Sequence, residues 1–354
     1  MNKILIITGG SGGHVIPAIT IYDHLKNNVN IQIATDKRGT KFFDVDIYNH
    51  VLINVPNIFN NVYKFPINLI KFIFSIFKSY LFLKKEKITK IVSTGGYMCF
   101  PFCFASFFLN CDLILFEPNS ALGRSNKYMI KFAKTILCYD KYLKFFPKKS
   151  INKIIEIPPI IRKDIYELQS KINVTNNDQI KILVVGGSQG ASFFDEKITN
   201  LIIELSKEYK IKIVQQVNNP NKINNIKNLY KNSNIPFELF DFDENLAFKI
   251  KDFDFAITRS GASTIAELAQ LNIPFLAIPF PFAKDDHQFY NAKYYETKNC
   301  CWVIRQNQLN KENLSNLLKD KNDLKEKKKN LEKLSNQNTW NNINKKLINL
   351  INEN

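Results

Sequence analysis

The turn Gly9-Gly10-Ser11-Gly12-Gly13 followed by His14 combines main-chain N–H groups that a ligand can approach with an imidazole able to exchange a proton near neutral pH. Unpaired N–H groups at a helix start attract an anion or a polar diphosphate ester, so the pattern suits acid–base chemistry beside a phosphate. A second set lies in Arg259-Ser260-Gly261-Ala262-Ser263-Thr264-Ile265-Ala266-Glu267. Small residues there open a helix and would let a ligand lie on the backbone, while Glu267 offers a carboxylate to two sugar hydroxyls. Plainer roles exist for both sets. The glycines could merely make a tight turn with His14 capping the helix, and Glu267 could be a solvated helix charge.

These residues need elements to hold them. Lys3-Ile4-Leu5-Ile6-Ile7 is a short, apolar, β-branched run that predicts a buried strand entering the glycine turn, and Pro17 predicts a first helix over roughly 17–26. Ile31-Gln32-Ile33-Ala34 predicts a second strand ending near Asp36, where a dinucleotide fold would hold a ribose. The glycine spacing is not G-x-G-x-x-G, which counts against a nicotinamide oxidoreductase. Further strands enter turns at Gly95-Gly96-Tyr97 and at Glu117-Pro118-Asn119. Lys181 to Ala191 then repeats the N-terminal strand and glycine turn, and Ile198, Leu201, Ile202 and Leu205 line one face of the helix that follows. Strands alternating with helices predict parallel sheets with ligands at the carboxyl ends of the strands. Pro158 and Pro159 mark a boundary. The expectation is an α/β fold of two Rossmann-like doubly wound domains with a cleft between them, residues 1–157 and 158–354. The polar tail from about residue 310 carries the stripe Leu314, Leu317, Leu318, Leu331, Leu334, Trp340, Ile343 and Leu347, which predicts packing helices, the last of them able to fold back on the N-terminal domain.

The formal net charge of +17 favours an anionic partner, whether nucleic acid, phosphorylated substrate or acidic membrane, unless it only reflects a general abundance of lysine. The six cysteines show no Cys-x-x-Cys spacing, which predicts reduced, buried thiols of a cytosolic chain, and the short apolar run at the N-terminus does not read as a signal peptide. Residues 67–83 form an apolar stretch with a narrow polar stripe of Asn68, Lys71, Ser75, Lys78 and Ser79. It is short for a span and its central lysines would be costly in hydrocarbon. Two readings stay open: a helix buried against the sheet, or an interfacial helix whose Phe72, Phe74 and Phe77 enter a bilayer while Lys71 and Lys78 meet acidic headgroups.

Taken together, Gly9 to Ala18, Gly186-Gly187-Ser188-Gln189-Gly190-Ala191, Arg259-Ser260-Gly261-Ala262, and Asp286-His287-Gln288 before Asn291-Ala292 occur in an order that resembles the MurG family of bacterial transferases over nearly the whole chain. The resemblance implies an inverting glycosyltransferase of the two-Rossmann-domain (GT-B) type. Such an enzyme moves N-acetylglucosamine from UDP-GlcNAc to undecaprenyl-pyrophosphoryl-MurNAc-pentapeptide, lipid I, as a peripheral protein at the cytoplasmic face of the inner membrane. It implies no cofactor, no metal and no nucleic acid, with other cell-wall synthesis proteins as further partners.

Carried over by position, Ser11, Gly12 and Gly13 match the N-terminal glycine loop, Asn119 a donor-sugar contact, and Arg162 and Ser188 contacts near the diphosphate. Asp243 matches a contact near the uracil, Ala262, Ser263, Thr264, Ile265, Ala266 and Glu267 the nucleotide-holding helix opening with Glu267 on the ribose, and Gln288 a donor-sugar contact. His14 takes the place of the base, and Gly95, Gly96 and Tyr97 stand near the acceptor. The chain departs from the family pattern in two places. Glu117-Pro118-Asn119 has proline where the family has glutamine, and Pro158-Pro159-Ile160-Ile161 precedes Arg162 where the family has Asn-Pro-x-Arg, leaving the register there open by about one residue, within reach of a long arginine side chain. Asp241-Phe242-Asp243 has the Asp-x-Asp form of metal-dependent transferases, but the resemblance places it at the uracil. A transferase for another lipid acceptor such as diacylglycerol, and a non-catalytic scaffold of the same fold, are the competing readings.

Overall fold

The structure, a computed structural model, describes residues 3–56, 65–169, 179–187, 191–241 and 253–352. It divides into two units, residues 1–160 with 340–354 and residues 161–339, each built on its own parallel sheet. The sheet of the first unit holds β1 (Lys3–Ile7), β2 (Asn30–Thr35), β3 (His50–Leu52), β4 (Lys90–Ser93), β5 (Asp112–Glu117), β6 (Thr135–Cys138) and β7 (Ile154–Glu156), in the order β3-β2-β1-β4-β5-β6-β7. Ile4 to Ile7 are fully buried, as a strand covered on both faces requires. Alternate side chains go to opposite layers: Ile4 and Ile6 pack with Ala18, Ile21 and Leu25 of α1 (Gly12–Leu25), and Leu5 and Ile7 with Phe102 and Cys103 of α3 (Phe100–Phe107). The remaining helices of this part are α2 (Phe65–Lys85), α3 (Phe100–Phe107) and α4 (Arg124–Met129). Ile7 pairs with Ala34 on one side and Ser93 on the other, so the strand order reverses at β1. The crevice at such a reversal is where open α/β sheets place ligands, and the glycine turn opens there.

The second unit repeats the plan with β8 (Ile180–Val185), β9 (Ile211–Gln216), β10 (Phe237–Phe240), β11 (Phe255–Thr258), β12 (Phe275–Ala277) and β13 (Cys301–Val303), in the order β10-β9-β8-β11-β12-β13. Val185 pairs with Thr258, which sets Gly186-Gly187 beside Arg259-Ser260 at the reversal point. The helices are α5 (Lys163–Gln169), α6 (Ala191–Phe193) running through a π turn at Phe194–Ile198 into α7 (Thr199–Leu205), α8 (Ile223–Asn232), α9 (Ala262–Gln270), α10 (His287–Glu296), α11 (Lys311–Lys319) and α12 (Lys321–Gln337).

Two expectations need correcting. The first helix begins at Gly12, five residues before Pro17, because Pro17 sits in the second turn, where it removes one donor without breaking the helix. His14 therefore belongs to the first helical turn and not to the mouth of the glycine loop. The division falls at 160/161 and not at 157/158, and residues 340–354 group with the first unit. The cause is α13 (Trp340–Asn352), whose Ile343, Leu347 and Ile351 join the Ile4, Ile21 and Leu25 cluster. All six cysteines are free and buried.

His24 and Trp340 fasten that last helix, with rings stacked at a centroid distance of 3.6 Å. His24 is 2% exposed, and burial, opposed by a hydrogen bond with the Asn344 side chain, pushes its pKa down to about 4 from 6.5. A depressed histidine contributes stability that is present above the unfolded value near 6.5 and is lost as pH falls from there toward 4. The loss expected over this window is up to about 3 kcal/mol, an order-of-magnitude figure. Thermal melts from pH 7.5 to 4 should show it, and His24→Phe should flatten the dependence; an equal pH slope in the variant would assign the loss to other groups.

Candidate active site

In the first unit, Ser11 precedes α1 in an extended conformation and makes no side-chain cap, so the opening N–H groups of the helix are left for another partner. His14, half-buried, holds its Nδ1 2.8 Å from the carbonyl oxygen of Thr94. A carbonyl only accepts, so Nδ1 carries the proton and donates it, which leaves the Nε2 lone pair available as a base. The capping role for His14 is not what the structure builds. Gly95 and Gly96 make the arrangement possible: both have positive φ (96° and 89°), and a Cβ on Gly95 would lie 3.1 Å from the imidazole Cε1. Tyr97 continues that loop, and its hydroxyl accepts from Arg38 Nη2 at 2.9 Å.

Asp36 is fully engaged. It accepts from the backbone N–H groups of Gly10 (3.4 Å) and Gly39 (2.9 Å), and from Arg38 Nε and Nη2 at 2.9 and 2.7 Å. Burial alone would raise its pKa, but Arg38 and those amides hold the carboxyl below its ordinary value. An aspartate spent in this way braces the glycine turn and has no lone pairs left for a ribose, which agrees with the glycine spacing in disfavouring a nicotinamide site.

Asn119 follows β5 and donates from both its backbone N–H and Nδ2 to Glu117 Oε1, at 3.2 and 2.9 Å. The other oxygen of Glu117 accepts from Gly123 N–H (2.7 Å) and Asn126 Nδ2 (3.0 Å). Glu117 is 2% exposed and acts as the clamp of this loop; a Cβ on Gly123 would come within 2.8 Å of its carboxylate. The sequence marks Glu117 only as the neighbour of Asn119, since nothing in spacing alone distinguishes a clamp from a contact residue.

In the second unit, Arg162 Nε donates to Glu267 Oε1 at 3.2 Å, so the two residues expected at the diphosphate and the ribose form one ion pair. Burial raises the Glu267 pKa and Arg162 opposes that shift. Glu267 is thus not a solvated helix charge. Ala262, Ser263 and Thr264 are half-buried at the opening of α9, whose cap Gly261 is extended. Ile265 and Ala266 send their side chains into the core, so only their backbone remains for a ligand. Gln288 Oε1 accepts from Ser260 N–H (3.2 Å) and Phe280 N–H (3.0 Å), which fixes the amide and turns Nε2 away as a donor. Arg305, which spacing does not single out, grips Asp286 through two bonds of 3.0 and 2.7 Å and lies 4.1 Å from the centre of the Phe289 ring. That grip fixes the start of α10, where Asp285 and Asp286 have φ of 53° and 50°. Ser188 and Asp243 lie outside the described residues. Among the described residues no group of three or more His, Cys, Asp and Glu is placed to hold a metal ion.

The stretch at 67–83 is helical within α2, but not buried as one reading had it. Ser75, Ser79 and Leu83 face inward, while Ile70, Phe74 and Phe77 are 68%, 55% and 55% exposed. The serines satisfy themselves on the helix, Ser75 Oγ donating to Phe72 O and Ser79 Oγ to Ser75 O, so a slim polar edge packs against α3. Phe72 is half-buried; Lys71 and Lys78 are exposed, and Lys78 Nζ rests 4.8 Å from the Phe74 ring centre. Phe104, Phe107 and Phe108 at α3 are exposed as well. The 21-residue helix is long and apolar enough to cross a membrane by composition.

Residues 4–138 match the glycosyltransferase family 28 N-terminal domain and residues 181–347 the glycosyltransferase family 28 C-terminal domain. A UDP-N-acetylglucosamine--N-acetylmuramyl-(pentapeptide) pyrophosphoryl-undecaprenol N-acetylglucosamine transferase of Pelagibacter ubique is 46% identical over 100% of this chain and 99% of its own length. The enzyme of the same name from Rickettsia canadensis is 35% identical, with 90% of each chain covered. Acinetobacter baumannii MurG has the same fold with a TM-score of 0.77 at 20% identity, both chains covered in full. A UDP-GlcNAc 2-epimerase from Neisseria meningitidis, bound to UDP-GlcNAc, shares the fold at a TM-score of 0.66 and 14% identity over 99% of this chain and 100% of its own. With two glycine-turn units, a histidine held against Thr94 and a full-length match of this closeness, the chain belongs to the MurG family of UDP-N-acetylglucosamine-dependent N-acetylglucosamine transferases.

Proposed function

We propose that this chain transfers N-acetylglucosamine from UDP-GlcNAc to the MurNAc hydroxyl of undecaprenyl-pyrophosphoryl-MurNAc-pentapeptide, with inversion. The observation that carries the chemistry is the 2.8 Å contact of His14 Nδ1 with Thr94 O, from which we infer that Nδ1 holds the ring proton and Nε2 accepts one. Nε2 takes the proton of the acceptor hydroxyl as its oxygen bonds to the anomeric carbon, and the bond from that carbon to the UDP oxygen breaks on the opposite face. Arg162 and, by the family pattern, Ser188 would meet the charge that gathers on the departing diphosphate. Glu267 takes the ribose and the Gln288 amide donates to the sugar. The deciding assay follows transfer of labelled sugar from UDP-GlcNAc to purified lipid I beside a diacylglycerol control. Transfer to the diacylglycerol alone would move the activity to another lipid acceptor. On this account the protein supplies the charge stabilisation, so turnover should persist in EDTA; loss with chelation and recovery with Mg²⁺ would put a metal in that role instead.

The exposed face of α2 and α3 supports a peripheral seat on an anionic membrane, aromatic and aliphatic side chains entering the interface and Lys71 and Lys78 meeting headgroups. Replacing Ile70, Phe74 and Phe77 with serine removes three large apolar anchors and is expected to weaken binding to anionic vesicles on the order of 10²-fold or more. Co-sedimentation of the folded variant at the wild-type level would remove α2 from the contact.

A further inference from the structure

Arg38 straps the mouth of the first glycine turn. It stands in the tight turn after β2, Tyr97 stands in the loop after β4, and β1 with its glycines runs between those two strands. The bond from Arg38 Nη2 to the Tyr97 hydroxyl, 2.9 Å long, therefore bridges two strand spacings, about 10 Å. A Cβ on Gly10, where φ is 86°, would come 3.5 Å from the same Nη2, so the strap lies against the turn itself. Asp36 is its anchor: Oδ2 accepts from Arg38 Nε and Nη2, while Oδ1 accepts from the N–H groups of Gly10, Arg38 and Gly39. An exposed arginine tied at so many points has given up the rotamer freedom of a surface side chain.

The direction of the hydrogen bonds says what the strap does. A guanidinium cannot accept, so the Tyr97 oxygen accepts from Arg38 and its own proton is turned elsewhere; among the described residues nothing takes that proton. The charge of Arg38 is matched by the carboxylate of Asp36, which makes the strap neutral as a whole and leaves a polarised phenol donor rather than an anion site. Gly96, the neighbour of Tyr97, lies against both Gly9 and His14, since its Cβ would be 3.5 Å from Gly9 O and 3.9 Å from His14 Nε2. The phenol donor and the imidazole lone pair thus border the same turn. We propose that Arg38 is a positioning residue for the acceptor: it aims the Tyr97 O–H at a neutral oxygen of the acceptor sugar, which holds the attacking hydroxyl against His14, while Arg38 itself touches no substrate. The inference rests on the reading above that His14 receives the acceptor proton.

A double-mutant cycle tests it, with the KM for lipid I and the affinity for UDP measured on wild type, Tyr97→Phe, Arg38→Met and the double variant. Tyr97→Phe removes one hydroxyl and should raise the KM for lipid I on the order of tenfold while UDP binds as before. Arg38→Met should cost a similar factor in the wild type and less than about twofold in the Tyr97→Phe background, because its effect passes through the phenol. An arginine that only braced Asp36 and the glycine turn would cost the same in both backgrounds, and that result overturns the inference. So does a KM for lipid I unmoved by Tyr97→Phe, or a loss that falls on UDP affinity instead. A wild type that transfers no sugar to lipid I overturns the functional reading and the inference with it. Should Arg38→Met not fold, Arg38→Lys, which keeps a charge beside Asp36 without the fork that spans to Tyr97, completes the same cycle. Failure of both to fold makes Arg38 a structural brace and overturns the proposal.

Discussion

His14→Ala is expected to lower kcat by roughly 10²–10⁴-fold, the range for loss of a positioned general base, while the affinity for UDP stays within a few-fold of wild type. The split follows from what the side chain does. One nitrogen is committed to Thr94 O and the other presents a lone pair, an arrangement that serves proton acceptance and contributes no donor to a nucleotide. His14 is half-buried on a helix whose first turn has no side-chain cap, so its removal opens no large cavity. His14→Gln sharpens the test, because an amide can keep a bond to Thr94 O but cannot take a proton; it should be as inactive as the alanine variant. Gly95→Ala should act in the same direction by pushing the ring, since its Cβ would lie 3.1 Å from the imidazole at a backbone φ of 96°. Equal losses of turnover and thermal stability in His14→Ala, or unchanged turnover, would return His14 to a structural role.

The parts of this site that sequence makes legible are those in which the backbone does the work. A buried parallel strand is an unbroken apolar run, and a glycine turn after it is visible as glycine, so β1, β4, β8 and β11 and the turns they feed are readable before any coordinates. Side-chain direction is another matter. Serine and lysine count alike as polar in a helical stripe, yet Ser75 and Ser79 turn inward because their hydroxyls bond their own helix and let α3 approach, while the phenylalanines stay out. Proline predicts a helix start, but Pro17 is tolerated five residues in, which moves His14 into the helix. Only the folded structure shows Arg259 closed beneath aromatic rings, and Asp36 consumed by Arg38 and Gly39.

Glu267→Gln is expected to weaken UDP binding on the order of 10²-fold, since two hydrogen bonds to a charged acceptor are replaced by one neutral acceptor and one donor. The effect should be specific to the ribose. Wild type should favour UDP over its 2′-deoxy analogue, and Glu267→Gln should bind the two alike; a variant that kept the preference would place the hydroxyl contact elsewhere. The same carboxyl carries a pH signature. Burial raises its pKa above the unfolded value despite Arg162, so in the free protein Glu267 costs stability as pH rises from the unfolded carboxyl range through the raised folded value. If Glu267 holds the ribose as proposed, the donor needs the ionised form, so the KM for UDP-GlcNAc should climb as pH falls through that raised value, and the climb should vanish in Glu267→Gln. Arg162 enters with the opposite sign: its Nε donates to Oε1 at 3.2 Å, so Arg162→Ala removes the charge that favours ionisation and should move the wild-type KM profile to higher pH. An arginine that acted on the diphosphate alone would raise KM evenly at every pH, so the shape of the profile separates its two duties.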